Sequence, residues 1–465
     1  MRIHLGSRRI RSAIGLIVLS VGLAVLVSAC GSSNKSSTSA SSAPASTGGG
    51  GASTQAASTD TSKCGDKPGQ AATGSPIKLG AIATKQPGTD FTDIPNMAKA
   101  YFDCVNANGG VNGHPIKYFI ETEQTNPAQA AAAAHKLIQT DKVLGLVGNT
   151  SIIECAINHG YYEQMGYNVI ASGIAPECYG TPNIASVNMG PRYSSDGAVQ
   201  AVIRAGAKKI AFDQSNVPGT GYIAAGPNAV AKAAGVPITQ LKENVPIQDA
   251  NSVALKEVQA AGSDGAVVLN FTPPEALKIL QAAQQQGLQD RVKAWGCSTP
   301  CNTDFLAKAL GSSWDGKLLV NAELNVTDNN GPQTRLYRAV FDKYGSKVTG
   351  GLGSFSQMGF VMAQQTVMAL ESIKSGKYTI KTVNQAIKNI KGFKTDMLCR
   401  PWYYGDAPLH LPNNVDYTTT PHNGKMVIKD GCIPISAADP AIAEVRKIEK
   451  DQPDLTKPGT PVAGS

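Results

Sequence analysis

Two polar turns carry the side chains best suited to binding a small molecule. Asn149, Thr150 and Ser151 follow the apolar run LGLVG, and Ser172 and Gly173 close the run YNVIAS. A helix predicted over residues 152–165 joins the two runs, so the segment is a strand–helix–strand unit with parallel strands. Ligands of open parallel sheets lie beyond the carboxyl ends of the strands, where both turns fall. Neither turn carries an obvious catalytic group, so the segment predicts binding.

These turns can act through hydrogen bonds. Ser151 and the free N–H groups at the start of the following helix suit an anion or a carbonyl oxygen. Asn149, Ser172 and Asn216 can donate to an amide, a carboxylate or a hydroxyl. Helix capping is the alternative role for each of these polar residues. We expect a small ligand that is uncharged or anionic and partly apolar.

Three aromatic residues are candidates for the apolar walls of the same site: Phe91, Tyr222 and Phe271. Small-ligand clefts are mostly apolar and use few polar anchors. Ordinary core packing is the alternative role for these three side chains.

The first thirty residues predict export. Four arginines precede an apolar stretch, Ala13–Ala29, which ends in small residues, as in a secretory signal peptide. Cys30 directly after Val-Ser-Ala resembles the lipobox of bacterial lipoproteins, which implies cleavage after residue 29 and lipid attachment to Cys30. The composition of residues 30–74 then predicts a flexible Ser/Gly/Ala tether between the membrane and a folded body. An uncleaved membrane anchor is the alternative for the apolar stretch.

The charge balance excludes nucleic acid as a partner. The formal net charge is +8, but removal of the four signal-peptide arginines leaves 38 basic against 34 acidic residues. The sequence has no Lys/Arg block and no basic stripe interleaved with aromatic residues.

The cysteine count fits an oxidising compartment. Removing Cys30 from the nine cysteines leaves eight, an even set that can form four disulfides. The layout of the predicted elements favours Cys64–Cys104, Cys155–Cys178, Cys297–Cys301 and Cys399–Cys432. A metal site is not predicted, because Cys297 and Cys301 have no second closely spaced Cys or His pair.

The body of the chain reads as repeated strand–helix units, which predict an α/β fold. One series runs from the strand IKLGAIAT to a short strand near residues 183–188, and a second series begins after Gly190-Pro191. Two such series, in a body too long for one typical core, predict two similar lobes.

Eight segments in this order carry a family resemblance. They are PIKLGAIAT, VNANGGVNGHPIKYFIETEQTNP, VLGLVGNTSIIECA, NVIASGIAPE, AGAKKIAFDQS, DGAVVLNFTPPEALKILQAAQQQGL, GLGSFSQMGFVMAQQTVMALESI and the late PWYYGDAP with NGKMVIKDG. Together they resemble the type 1 periplasmic-binding fold, and within it the branched-chain amino-acid (Leu/Ile/Val) family of ABC-transporter substrate-binding lipoproteins. The resemblance covers nearly all of residues 75–436.

The resemblance implies two doubly wound, flavodoxin-like lobes with a ligand cleft between them, closed by a hinge. The implied crossover segments are Val187–Pro191, Val320–Leu324 and Lys394–Leu398. The implied divisions are residues 75–190 and 322–396 for lobe 1, residues 191–321 and 397–436 for lobe 2, and residues 437–465 for a tail. We expect a monomer that needs no cofactor and delivers its ligand to ABC permease subunits. Ligand sensing for a membrane receptor is the alternative.

The family's amino-acid site is only partly matched. The family serine that contacts the α-carboxylate aligns with Ile152, and a family threonine aligns with Ile174. The family acid that receives the α-ammonium group aligns with Ser298, which carries no charge. The resemblance therefore implies ligand capture but does not imply leucine as the ligand.

An exported enzyme is the remote alternative. Residues 219–224, GTGYIA, match the glycine pattern of dinucleotide-binding turns. However, six residues separate this pattern from the end of the preceding strand, whereas the motif needs a tight turn. The six histidines are scattered and define no catalytic triad.

Overall fold

The computed structural model describes residues 60–456. The predicted signal peptide, Cys30, most of the predicted tether and residues 457–465 lie outside that part of the chain. Within residues 60–456, no helix is long and apolar enough to cross a membrane.

Lobe 1 begins with a parallel sheet and four helices. The strands are β1 (Ile77–Gln86), β2 (Thr89–Asp90), β3 (Ile116–Glu123), β4 (Gly145–Asn149), β5 (Val169–Ala171) and β6 (Ile184–Ser186). The helices are α1 (Asp93–Ala107), α2 (Pro127–His135), α3 (Glu154–Gln164) and α4 (Glu177–Gly180). The parallel strands lie in the order β3-β1-β4-β5-β6, and the short β2 pairs antiparallel with the end of β1.

Lobe 2 follows with a second set of alternating elements. Its helices are α5 (Gly190–Arg204), α6 (Ala225–Ala233), α7 (Ala250–Ala261), α8 (Pro273–Gln285) and α9 (Asp304–Leu310). Its parallel strands are β7 (Ile210–Ser215), β8 (Ile238–Glu243), β9 (Ala266–Asn270), β10 (Ala294–Cys297) and β11 (Leu318–Ala322).

The chain then returns to lobe 1 before it completes the second sheet. Lobe 1 gains α10 (Pro332–Tyr344), α11 (Ser354–Glu371) and α12 (Ile380–Lys388). Lobe 2 gains the hairpin β12 (Val415–His422) and β13 (Lys425–Pro434). The helix α13 (Pro440–Asp451) follows, and a short 3₁₀ helix, Pro453–Thr456, ends the described chain. The sheet of lobe 2 has the order β13-β12-β11-β10-β9-β7-β8, with β12 antiparallel to β11.

Helices cover both faces of the lobe 1 sheet, which explains its continuous apolar strands. Val147 of β4 and Ile170 of β5 pack in one core with α1 and α11. Leu146 and Val169, their chain neighbours, face the other side and pack with α2 and α3. Alternate residues therefore enter two different cores, because strand side chains alternate between faces. The predicted two-lobed α/β fold is confirmed.

Two connections between the lobes lie close to the first two predicted crossover segments. The first runs from the end of β6 to the start of α5, and the second follows β11. Gly190 in the first crossing has φ +74°, and a Cβ built there would lie 2.2 Å from Tyr179 Oη. Both the backbone conformation and this close approach require glycine.

The third crossing does not lie at Lys394–Leu398 but near Asn413. Asn413 Nδ2 donates to the carbonyl oxygens of Val187, at 3.2 Å, and Glu323, at 2.9 Å, so it touches both other crossings. Before this point the chain stays on lobe 1, where Trp402 Nε1 donates to Ser186 O at 2.9 Å. The apolar surface of Trp402 and its aromatic neighbours is buried in the lobe 1 core, and this burial holds the segment there.

The predicted lobe 2 segment 397–436 therefore contributes only the β12–β13 hairpin to the second sheet. The predicted tail from residue 437 is also part of the folded body. Ile442 and Val445 of α13 are buried in the core that contains α2 and α3. Arg192 and Asp439 form a bidentate ion pair, at 2.8 and 2.7 Å, that ties α13 to the start of α5.

The folded body also begins earlier than predicted. Residues 60–74, assigned to the tether, pack against the end of α1, where Lys67 N donates to Asn108 O at 3.0 Å. The disulfide Cys64–Cys104 links this segment to α1. The structure pairs the other six cysteines as the layout predicts, namely Cys155–Cys178, Cys297–Cys301 and Cys399–Cys432.

Candidate ligand-binding cleft

The carboxyl ends of the strands of both sheets meet at a cleft between the lobes. Its inner part is a narrow cavity of about 90 Å³, and an adjoining outer part has about 320 Å³. Lobe 1 supplies turns after β1, β4 and β5, and lobe 2 supplies turns after β7, β9 and β10. The two polar turns singled out from the sequence therefore point at the cleft, as predicted from strand direction.

Four of the predicted site residues line the inner cavity: Phe91, Thr150, Ser172 and Phe271. Phe91 packs edge-to-face against Phe355, with ring centroids 5.6 Å apart, and Phe271 is buried on the lobe 2 side. Ser172 Oγ donates to Met358 Sδ at 3.2 Å. These contacts form a predominantly apolar wall with a few polar atoms.

Thr150 lines the cavity and carries a hydroxyl that the protein does not use. The residue is only 1% exposed, and its Oγ1 has no hydrogen-bond partner among residues 60–456. Burying a hydroxyl without a partner costs free energy, so this atom is available to a ligand.

Asn149 and Ser151, the neighbours of Thr150, do not line the cavity. Ser151 Oγ accepts from the N–H groups of Ile153, at 3.2 Å, and Glu154, at 3.0 Å, and donates to Glu123 at 2.8 Å. Asn149 Nδ2 donates to Glu154 Oε1 at 2.7 Å. The expectation of an anion site at this helix start is wrong, because the protein itself uses the N–H groups.

A buried polar network behind the cleft explains this arrangement. The carboxyl group of Glu154 is fully buried beside Tyr162, and burial raises its pKa to about 7. Glu123 accepts from Ser151 and from Thr84, whose hydroxyl in turn accepts from the N–H of Ile152 at 3.0 Å. The capping alternative therefore describes Ser151 correctly but not Asn149, whose Nδ2 donates to Glu154 and whose Oδ1 has no partner among residues 60–456.

Three further predicted residues lie near the cleft without lining the inner cavity. The carbonyl oxygen of Gly173 accepts from Tyr179 at 2.7 Å and from Asn188 at 2.9 Å. Ser298 Oγ donates to Asn270 Oδ1 at 2.9 Å, so it orients a residue that does line the cavity. Asn216 instead pairs with Asn244 at 2.9 Å on the surface.

Tyr222 connects the two lobes rather than forming a wall. Its hydroxyl, on lobe 2, donates to the carbonyl oxygen of Ile174 on lobe 1. Burial raises the pKa of the Tyr222 hydroxyl above its usual range, so it remains a donor. A second contact joins the lobes where Thr272 Oγ1 donates to Gly88 O at 3.2 Å.

The most informative residue missed by sequence reasoning is Glu323, at the second crossing. It is 2% exposed and lines the inner cavity, and one of its carboxylate oxygens accepts from the N–H of Met189. Burial, aided by the nearby negative charge of Asp416, raises the pKa of Glu323 to about 8. The signal in the sequence is an acid placed directly after the apolar strand LLVNA.

Other missed residues follow the strands of lobe 2. Asn270 ends β9 and lines the cavity, while Ser194 and Thr299 line it next to Asn321. Thr299 Oγ1 donates to Asn321 Oδ1 at 2.9 Å, and Ser194 Oγ accepts from Thr299 N at 2.7 Å. The hydroxyl groups of Ser194 and Thr299 are therefore engaged within lobe 2.

Among residues 60–456, the inner cavity has one ionisable lining residue, the acidic Glu323. Among residues 60–456, no lysine, arginine or histidine lines either part of the cleft. The same part of the chain contains no group of three or more His, Cys, Asp or Glu residues able to hold a metal ion.

The glycine pattern at residues 219–224 does not begin a helix. Gly219 has φ +88°, and the next helix, α6, begins only at Ala225. Thr220 Oγ1 donates to Val217 O at 2.7 Å, and Tyr222 reaches lobe 1. This loop closes the cleft instead of presenting a helix start to a phosphate.

Comparison with known proteins agrees with the fold. Residues 76–417 match the family model described as periplasmic binding protein, and the chain belongs to that family. No curated protein has significant similarity to the chain. The recognition of a type 1 periplasmic-binding fold is confirmed.

Solved structures with the same fold are similar over most of this chain. A fatty acid ABC transporter substrate-binding protein from Thermomonospora curvata is 18% identical, with TM-score 0.64, covering 80% of this chain and 96% of that chain. A branched-chain amino acid ABC transporter protein from Thermus thermophilus, with bound valine, is 17% identical, with TM-score 0.69, covering 82% and 100%. A solute-binding protein from R. palustris, in complex with 4-hydroxybenzoate, is 17% identical, with TM-score 0.60, covering 78% and 98%.

Proposed function

We propose that this chain is an extracytoplasmic, lipid-anchored solute-binding protein that captures a small, partly apolar ligand and delivers it to an ABC importer. One observation carries the proposal: the strand-end turns of two lobes converge on a cleft that hydrogen bonds between the lobes hold closed. Membership of the periplasmic binding protein family supports the same role. The structural neighbours described as ABC transporter proteins support delivery to permease subunits.

Capture follows from the position of the site at the hinge. Lining residues come from both lobes and from two of the three crossings, so a ligand contacts all moving parts at once. A ligand that contacts both lobes favours the closed form over the open form. Closure also removes the ligand from water, against walls that include Phe91 and Phe271.

The capture step is tested with purified full-length protein. Thermal unfolding is measured against a panel of amino acids, amides, alcohols, amines and carboxylates, followed by small-angle X-ray scattering with each compound that binds. We expect one class to raise Tm in a concentration-dependent way and to reduce the radius of gyration. Phe91→Ala weakens binding, whereas Leu255→Ala, on the exposed face of α7, leaves it unchanged. Binding without compaction would contradict capture by hinge closure.

The lipid anchor is tested separately in growing cells. The wild-type chain and Cys30→Ser are labelled with an alkynyl fatty acid, and membranes are separated from soluble protein. Labelling and membrane retention of the wild type alone are expected. Equal labelling of both chains, or retention of an unlabelled wild type, would contradict lipidation at Cys30.

A further inference from the structure

Three residues that line the inner cavity each have a polar atom that the protein does not use. Thr150 Oγ1 has no partner in the part of the chain that the structure describes. Asn270 holds Ser298 through its Oδ1, and within residues 60–456 its Nδ2 makes no hydrogen bond. Glu323 binds the N–H of Met189 through Oε2 and, in the same range, makes no hydrogen bond through Oε1. These atoms come from lobe 1, lobe 2 and the second crossing.

The charges of the cavity favour one class of ligand. Within residues 60–456, Glu323 is the one ionisable residue that lines the inner cavity, and no basic side chain lines the cleft. A ligand carboxylate would lose its hydration and meet no positive charge, which is unfavourable in a buried site. The helix-start N–H groups beside Ser151, which could have replaced a cation, are already bonded.

Resting on the proposed function, we propose that Glu323 determines specificity by accepting a hydrogen bond from a ligand without negative charge. The ligand class is an amide, alcohol or amine with an apolar body. Thr150 Oγ1 and Asn270 Nδ2 bind its polar end from the two lobes, and Phe91, Ile152 and Phe271 contact its apolar body.

Ile152 and Ile174 fit this specificity. Both line the cavity at the positions where the family resemblance implies polar residues for an amino acid. They add apolar surface where a zwitterion would need hydrogen bonds.

Two sets of matched compounds test the proposal by isothermal titration of the full-length protein. The first set is isovaleramide, 3-methylbutylamine and isovalerate, and the second is benzamide, benzylamine and benzoate. Within each set the body is constant and only the polar end changes. We expect an amide or amine of at least one set to bind about tenfold or more tightly than its matched carboxylate.

Substitution at Glu323 then assigns the effect. Glu323→Gln keeps the shape of the side chain but removes its negative charge. We expect it to lower the affinity for the amine by about tenfold or more and to reduce the ratio of amine affinity to carboxylate affinity. Glu257→Gln is the control, because Glu257 is equally buried in lobe 2 but lies outside the cavity. Thr150→Val removes the second polar group without changing the size of the side chain.

The outcomes separate this proposal from the proposed function. Carboxylates that bind as tightly as their amides and amines, with Glu323→Gln unchanged, would overturn the specificity and leave ligand capture intact. Binding by no compound of either set, together with no hit in the wider solute panel, would contradict capture itself. If Glu323→Gln fails to fold, the ranking of wild-type affinities still decides the question.

Discussion

Removing the hydroxyl of Tyr222 is predicted to weaken closure of the cleft. This hydroxyl crosses from lobe 2 to the carbonyl oxygen of Ile174 in lobe 1. Tyr222→Phe keeps the ring, which packs in the core that holds α5 and α6, and deletes only the bond between the lobes. The open form loses nothing, because water hydrates the Ile174 carbonyl once the lobes separate.

The magnitude follows from the value of one hydrogen bond. A typical bond contributes about 1 kcal/mol, and a buried acceptor left without a partner adds about 1–3 kcal/mol to the loss. Because the carbonyl oxygen of Ile174 keeps partial access to water, we expect Tyr222→Phe to destabilise the closed form relative to the open form by about 1–2 kcal/mol. This corresponds to about a 5- to 30-fold fall in the ratio of closed to open protein. Ligand affinity falls by the same factor if the free protein is mostly open.

A matched variant separates closure from general stability. Tyr167 Oη donates to Val143 O at 2.6 Å, so Tyr167→Phe also deletes one tyrosine–carbonyl bond, but inside lobe 1. Both variants are compared by fluorescence energy transfer between labels on the two lobes and by ligand titration. Tyr222→Phe shifts the population toward the open form and weakens binding, whereas Tyr167→Phe lowers Tm and leaves both unchanged. Equal effects of the two variants on closure would refute the reasoning.

Two further predictions concern buried groups of the individual lobes. Asp213 and Glu257 are buried carboxyl groups that pair with each other and have no other hydrogen-bond partner in the described chain, and burial raises the pKa of Asp213 to about 6 and that of Glu257 well above its usual range. Their contribution to the free energy of unfolding is present at low pH and is lost as pH rises through about 6. The urea midpoint of the wild type should therefore fall between about pH 5 and 8, and that of Glu257→Gln should fall less. An equal fall in both proteins would contradict this. Replacing both cysteines of the Cys155–Cys178 bridge by serines should reduce stability by about 3 kcal/mol and weaken ligand binding, because the bridge joins the start of α3, just after the first cleft turn, to α4, just after the second. An unchanged ligand affinity would show that the Cys155–Cys178 bridge does not position the turns. A variant without the Cys64–Cys104 bridge, which lies away from the cleft turns, is the control.

Local patterns in the sequence were sufficient to predict most strands and helices of the two lobes. The runs LGLVG and YNVIAS are short and apolar because both faces of their sheet are covered, and each ends in a polar turn. Such signals depend only on neighbouring residues, so the sequence alone reveals them. The direction of parallel strands then places Thr150 and Ser172 at the cleft.

The β12–β13 hairpin shows a signal that was present but not used. His422 pairs with Lys425, so a two-residue turn of Asn423 and Gly424 joins the strands. Both turn residues have positive φ, of 50° and 74°, which suits the Asn-Gly turns typical of hairpins. The segment around Trp402, which precedes the hairpin, has no helix or strand periodicity in its sequence. Its position could not be predicted, because contacts with the core of lobe 1 determine it.

The site could be predicted only in part, since its chemistry depends on which groups the protein itself already uses. Ser151 and Asn149 are residue types suited to binding a ligand. However, Ser151 accepts a hydrogen bond from an N–H group at the start of α3, and Asn149 donates one to the carboxylate of Glu154. Glu323 and Asn270 gained their role from the meeting of two lobes, which no local pattern records. The choice between capping and ligand binding therefore required the structure.

Capture of a ligand between the lobes can be tested by a crystal structure of the full-length protein with a compound that binds in titration. We expect ligand density in the inner cleft, in contact with Thr150 from lobe 1 and Asn270 from lobe 2, with the Tyr222–Ile174 contact formed. Density at a site on one lobe only, or bound ligand with the lobes apart, would contradict capture in this cleft.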